Sequence, residues 1–415
     1  MKRFLFSILT LCILLVAGYH VISLWRNITL YQTTPSKENL LKATRLSRHN
    51  PDPFYRLGVF YQWDIRNTDL KESQRYLWKS IERNPLEQAY WLDLAKVYQR
   101  MEEKDAFRYA VNNAVLVFPT GYRGRWVSGN LLLRHGDLEN ALQHFSYILT
   151  HYPDESSLIY EVLGKVINDP EFILERLVPK DPSSFKLYLS YLYKTDDKES
   201  VKRAWERKAS YGIKTDRTGT LRHIEFLIAH GDLSEAFQVW KDRLREEGLT
   251  IPSDGNLITN GGFENEEILG GGFDWKIGNV PGAQVSLDHS TALEGKSSLK
   301  IVFDGKKNIA FHHVYQYVAL KPSTDYVLKA HMKTEAVTTK SGIRIEISGI
   351  GPAAFHGTSE SLIGDNAWKE LTVTFRTPPQ SQGGLVRIRR EKTDKFDRFI
   401  SGVVWIDNIR LTEKR

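Results

Sequence analysis

The sequence predicts a multidomain α + β chain in three parts: an N-terminal transmembrane helix, an α-helical solenoid and a C-terminal antiparallel β-sandwich. Three observations carry this reading. Phe4 to Trp25 is an apolar run without Asp, Glu, Lys or Arg. Pro51, Pro85, Pro119 and Pro153 then recur every 34 residues, and a fixed period of that length marks stacked helix pairs. Beyond residue 250, short runs of alternating apolar and polar residues replace the helical spacing, as half-buried strands require.

The apolar run comes first. A helix of its 22 residues spans roughly 33 Å, enough to cross a hydrocarbon core. It follows the basic start Met1-Lys2-Arg3 and continues through Val21-Ile22-Ser23-Leu24-Trp25, longer than an ordinary signal-peptide core. Residues 1–25 are therefore expected to be an uncleaved signal-anchor. The chain would be a single-pass protein of the bacterial inner membrane, with its bulk in the periplasm or outside. A cleaved signal peptide, with a weak site at Val16 and Gly18, is the rival reading. Cys12, the sole cysteine, follows Leu11, a poor match to a lipoprotein signal. One cysteine excludes an intramolecular disulfide and a thiolate metal cage.

Net charge is +7, but the excess is dispersed: residues 26–250 carry 34 Lys+Arg against 31 Asp+Glu, and residues 251–415 carry 21 against 19. Nucleic-acid binding would concentrate its basic charge, so no nucleic-acid partner is expected.

Residues 36–250 read as helix after helix. In the unit Tyr122–Pro153, small residues at Gly129 and Ala141 let two helices approach, Leu132 and Phe145 fill the space between them, and Pro153 stops the second helix. Leu57, Gly58 and Tyr61, then Ala95, Tyr98, Ala114 and Pro119, repeat the pattern. This segment resembles the tetratricopeptide repeat. The first unit departs from it by about three extra residues around Asp64–Asp69. After Pro153 the strict period fails, although Gly231-Asp232-Leu233-Ser234-Glu235-Ala236 echoes Gly136-Asp137-Leu138-Glu139-Asn140-Ala141. The resemblance implies a groove that binds a protein segment; the alternative is a spacer.

Ile251-Pro252-Ser253-Asp254-Gly255 reads as a linker into the last domain, residues 254–415. Leu299-Ile301-Phe303, Tyr326-Leu328-Ala330-Met332, Ile343-Ile345-Ile347, Leu371-Val373-Phe375 and Val386-Ile388 are the inward positions of successive strands, and Val404–Leu411 is the last. Asn256-Leu257-Ile258-Thr259-Asn260-Gly261-Gly262-Phe263-Glu264, Phe273-Asp274-Trp275, Gly295-Lys296-Ser297-Ser298-Leu299, Gln316-Tyr317-Val318-Ala319-Leu320-Lys321-Pro322, Trp368-Lys369-Glu370-Leu371 and Trp405-Ile406-Asp407-Asn408-Ile409-Arg410-Leu411 occur in that order. Together they resemble the galactose-binding-like jelly roll of carbohydrate-binding modules, across essentially all of 254–415.

If Val318 and Leu320 point inward, period-two alternation places Phe311, His313, Tyr315 and Tyr317 on the opposite face. Rings in a row would stack on the apolar faces of sugars. Arg344, Glu346, Arg387 and Arg389 would share outward faces, and arginines there suit a uronic acid or another anionic sugar. The other reading is that the stripe packs against a loop or the repeats. Trp275, Trp368 and Trp405 fall where relatives have structural aromatics. The resemblance also implies a structural calcium, held by the carboxylates of Glu264 and Asp407 and the backbone carbonyl of Lys296.

No nucleophile elbow, H-E-x-x-H, P-loop or dinucleotide fingerprint occurs. Gly270-Gly271-Gly272 lacks the Lys-Ser/Thr that phosphate binding needs and reads as a flexible loop, and Asp196-Asp197 as a solvated turn. The chain is therefore read as a non-catalytic envelope scaffold for exopolysaccharide assembly or export, with no catalytic cofactor. It would bind proteins through its repeats and polysaccharide through its jelly roll. The alternatives are a protein-assembly adaptor whose sandwich binds protein, and a glycan-cleaving enzyme.

Overall fold

The computed structural model describes residues 2–32, 36–248, 255–265, 270–351 and 354–414; Ile251 to Asp254 of the expected linker lie outside them. The chain forms two compact units, Met1–Ile213 and Lys214–Arg415.

The first unit is helical: α1 (Lys2–Gln32), α2 (Lys37–Leu46), α3 (Asp52–Trp63), α4 (Leu70–Arg83), α5 (Gln88–Arg100), α6 (Lys104–Val117), α7 (Tyr122–Arg134), α8 (Leu138–His151), α9 (Ser156–Ile167), α10 (Pro170–Arg176), α11 (Pro182–Thr195) and α12 (Lys198–Ser210). The membrane expectation does not survive. Among the described residues no helix is long and apolar enough to cross a membrane. The single-pass inner-membrane placement with a signal-anchor is accordingly withdrawn.

The 34-residue period is visible in the helices. α5, α7 and α9 begin 34 residues apart, as do α4, α6 and α8. The α3–α4 turn, Asp64–Asp69, is three residues longer than the turns Met101–Glu103 and His135–Asp137, as expected. Close approach explains the glycines: a Cβ at Gly58 would sit 2.8 Å from Leu77 Cγ, and one at Gly129 2.9 Å from Phe145 Cζ. Leu132, Ala141 and Phe145 are buried. Pro153 opens a short 3-10 turn, and the truncated α10 then breaks the period.

The second unit starts earlier than the composition suggests. It comprises the helical hairpin α13 (Arg217–Ala229) and α14 (Leu233–Glu246) together with β1 (Lys276–Ile277), β2 (Ala283–Asp288), β3 (Ser298–Asp304), β4 (Phe311–Ala319), β5 (Asp325–Val337), β6 (Arg344–Gly349), β7 (His356–Thr358), β8 (Gly364–Arg376), β9 (Gly383–Arg390) and β10 (Ser401–Glu413). The strands form two sheets, ordered β1-β4-β9-β6-β7 and β2-β3-β10-β5-β8, with antiparallel pairing throughout. Leu299, Ile301, Leu328, Met332, Ile345, Ile347, Val386, Ile388 and Val404 fill the space between them, which is the alternation the sequence carries.

The hairpin was expected to end the repeat array. Instead it packs on the sandwich: Ile224, Leu227, Ile228, Ala236, Trp240 and Leu244 form one apolar cluster with Phe273, and Tyr317 and Ala319 of β4 rest against it. Gly271 and Gly272, expected to be loose, lie against the hairpin. The Gly272 amide donates to Glu225 Oε1 at 2.7 Å, and a Cβ there would meet Trp240 at 3.0 Å.

Candidate functional site

The outer face of the β1-β4-β9-β6-β7 sheet gathers seven of the eight side chains the sequence singles out. Register fixes the rows. Tyr315 on β4 lies opposite Arg387 on β9, Arg387 opposite Glu346 on β6, and Glu346 opposite Thr358 on β7. The next row is Tyr317, Leu385, Ser348 and His356, and Arg389 faces Arg344. Val314, Gln316 and Val318 point inward, so His313, Tyr315 and Tyr317 point outward.

Phe311 is the exception. It is fully buried, with its ring 5.5 Å from that of Phe303. The β4–β9 register shifts between Phe311 and Val314. A bulge of this kind offsets the alternation by one residue and reverses the facing of what precedes it. Phe311 is therefore a core residue, not part of the outer row.

Glu346 organises the charged part of the face. Its carboxylate is almost wholly buried, with Arg387 Nε 2.5 Å from Oε1, His356 Nε2 3.2 Å and Arg389 Nε 3.7 Å from Oε2. Arg387 Nη2 also donates to Ser348 Oγ at 2.7 Å. Arg344 Nη2 reaches Glu391 Oε1 at 2.6 Å. Arg344 Nε and Arg389 Nε are shielded from solvent without a hydrogen-bond acceptor. Two half-buried guanidiniums, Arg387 and Arg389, thus flank one internal carboxylate while Arg344 pairs with Glu391, and the excess of three arginines over two carboxylates suits an anionic ligand.

The rings differ in their surroundings. Tyr315 and Tyr317 meet edge to face, with centroids 5.9 Å apart. His313 stacks on His312 at 4.4 Å, and burial, then the neighbouring His312, holds its pKa down, favouring the neutral imidazole. Burial, then Tyr315 and Glu225, raises that of Tyr317. Lys276 Nζ sits 4.8 Å from the Tyr317 centroid and 2.8 Å from both Glu225 oxygens.

The tryptophans are structural to differing degrees. Trp275 is fully buried. Trp405 is buried on the other sheet, with Lys300 and Lys333 over its ring and its Nε1 donating to Asp288 Oδ2 at 2.9 Å. Trp368 is half-buried on β8.

Glu264 and Asp407 converge on the 293–297 loop. Asp407 Oδ2 accepts the Leu293 and Glu294 amides at 2.8 and 3.2 Å, and Glu264 accepts the Lys296 amide at 2.9 and 3.0 Å. Gly262 lies beside both carboxylates, with its would-be Cβ at ordinary contact distance from Glu264 Cγ, 3.7 Å, and Asp407 Oδ1, 3.8 Å. Burial, and in smaller part the Glu264 charge, raises the Asp407 pKa. Two like charges side by side fit a cation in that respect. The third donor does not fit as expected, because Lys296 turns its N–H rather than its carbonyl toward Glu264. Among the described residues no group of three His, Cys, Asp or Glu side chains could hold a metal.

His356, Ser348, Lys276 and Glu225 join this face without having been legible as site residues. Glu225 is distant in sequence and reaches the face only because the hairpin docks there.

Residues 255–395 match the family model described as a carbohydrate binding domain. The tRNA(Glu)-specific nuclease WapA of Bacillus subtilis subsp. natto is 24% identical over 165 residues, 38% of this chain but only 7% of that protein. The chain thus spans a small part of the curated relatives it matches. The CBM22-1 xylan-binding domain of Paenibacillus barcinonensis Xyn10C is 15% identical, covering 37% of this chain and 90% of that one, with a TM-score of 0.28. Pseudomonas aeruginosa PilF is 22% identical, covering 47% of this chain and 90% of that one, with a TM-score of 0.26.

Proposed function

We propose that this protein is a non-catalytic scaffold that holds an acidic polysaccharide on the outer face of the β1-β4-β9-β6-β7 sheet and docks protein partners through its helical repeats, in exopolysaccharide assembly or export. The observation that carries the reading is the row Tyr315, Arg387 and Glu346. An aromatic ring stands beside guanidiniums with donors to spare, so a sugar ring can stack while its carboxylate is gripped. The match of residues 255–395 to a carbohydrate binding domain supports it. In the same reading Glu264 and Asp407 hold a calcium that ties the 293–297 loop to β10. A glycan array probed with the full chain tests the reading: retention of uronic-acid glycans over neutral ones supports it. Failure to bind any glycan, with capture of a protein partner by residues 214–415, favours the protein-assembly adaptor instead.

A further inference from the structure

The aromatic row is short, and it is closed at one end. Six strand steps separate Phe311 from Tyr317, about 20 Å at strand rise, room for several sugar rings. The structure shortens that run. At one end the β4 bulge turns Phe311 into the core. At the other, the α13–α14 hairpin covers Tyr317 and Ala319.

The hairpin is built to stay there. Phe237 meets Phe273 edge to face at 5.0 Å, and Glu225 bonds Lys276 and the Gly272 amide. The first residue of α14, Leu233, reaches β9 only because position 383 is glycine; a Cβ there would lie 2.4 Å from Leu233 Cδ2. The open part of the row is His313 and Tyr315, about 7 Å along the strand. Arg387 and Arg389 stand beside them on β9.

We infer that this face is a blind cleft that takes the end of an acidic glycan, one or two terminal uronic-acid residues, rather than an internal stretch of chain. The inference rests on the glycan reading and adds to it the hairpin as an end wall. A chain laid along β4 would stack its last ring on Tyr315, offer its carboxylate to Arg387 and Arg389, and stop against Tyr317 and the helices.

Calorimetric titration of the full chain with di-, tri- and hexagalacturonate and with a long polygalacturonate tests this. End recognition predicts one protein bound per glycan chain at every length, and a dissociation constant per chain that changes by no more than about twofold from dimer to hexamer. Several proteins per long chain, or affinity climbing more than about tenfold from dimer to hexamer, would overturn the blind cleft and leave the glycan reading standing. Absence of binding at every length would overturn both.

Discussion

Arg387 Nε lies 2.5 Å from Glu346 Oε1, joining β9 to β6 on the face that also carries Tyr315. The ion pair anchors the guanidinium beside Glu346 and one Nη donates to Ser348 Oγ, which leaves other donors for a ligand. Pre-ordering of this sort lowers the entropic cost of gripping a ligand carboxylate.

Replacing the fork tests that arrangement. Arg387→Lys keeps the charge but loses the planar pair of donors, and should weaken binding of acidic oligosaccharides by about tenfold, close to the loss in Arg387→Ala. Affinity electrophoresis on acidic and neutral polysaccharide gels reads the difference. Full retention of acidic binding in the lysine variant would show that charge alone suffices.

The docked hairpin makes a prediction about the folding unit. A fragment from Lys214 should unfold in a single cooperative transition. One from Gly255 exposes Phe273, Tyr317 and Ala319 and loses the ion pair between Glu225 and Lys276. It should melt several degrees lower, about what 1–2 kcal/mol produces in a domain of this size. Equal melting temperatures by circular dichroism would mean that the hairpin contributes nothing to the sandwich.

The helical unit carries a proton-linked term at His144. Burial, then the Arg125 charge, pushes its pKa down to about 4, whereas in the unfolded chain it titrates near 6.5. The unfolded state therefore binds more protons between those values. Stability contributed by neutral His144 is fully present above about pH 6.5 and is lost as pH falls toward 4. His144→Gln should flatten the pH dependence of urea midpoints across that window. An unchanged slope would show that His144 protonates as readily folded as unfolded.

Much of this could be read from the chain. The four prolines marked the boundaries of the helix pairs, and Gly58 and Gly129 sit where helices touch because a Cβ would strike Leu77 or Phe145. Alternation put Arg344, Glu346, Arg387 and Arg389 on outward faces, and the strand register brings them to the face with Tyr315. Alternation failed at Phe311, since a bulge is set by pairing with a distant strand and leaves no local period. The hairpin was assigned to the wrong unit for a related reason: its helical spacing is the same whether its apolar face meets another helix or a sheet. What recruits it to the sandwich, Phe273 and the glycines at 272 and 383, lies far along the chain. Arg390 follows the alternation instead: it continues the inward series of Val386 and Ile388 and is fully buried despite its charge, donating to the carbonyls of Ser341, Ile309 and Arg398 and to Asn308 Oδ1.

The Glu264–Asp407 pair predicts a cation effect. A ligand that binds only the folded state stabilises by about 2.7 kcal/mol at one hundred times its dissociation constant. Added calcium should raise the melting temperature of residues 214–415 and chelation should reverse it, while Glu264→Gln should abolish the calcium-dependent part. A melting curve indifferent to calcium in the parent protein would show that backbone amides alone satisfy the two carboxylates.

The central claim is that Tyr315 and its arginine neighbours form a glycan-binding surface. Isothermal titration of the full chain and of Tyr315→Ala with digalacturonate tests it most directly. The expected result is saturable binding by the parent and a loss of about 1–3 kcal/mol, at least several-fold in affinity, in the variant, whose melting curve should be nearly unchanged because the ring lies on the outer face. Equal binding by the two proteins, or none by either, would contradict the account.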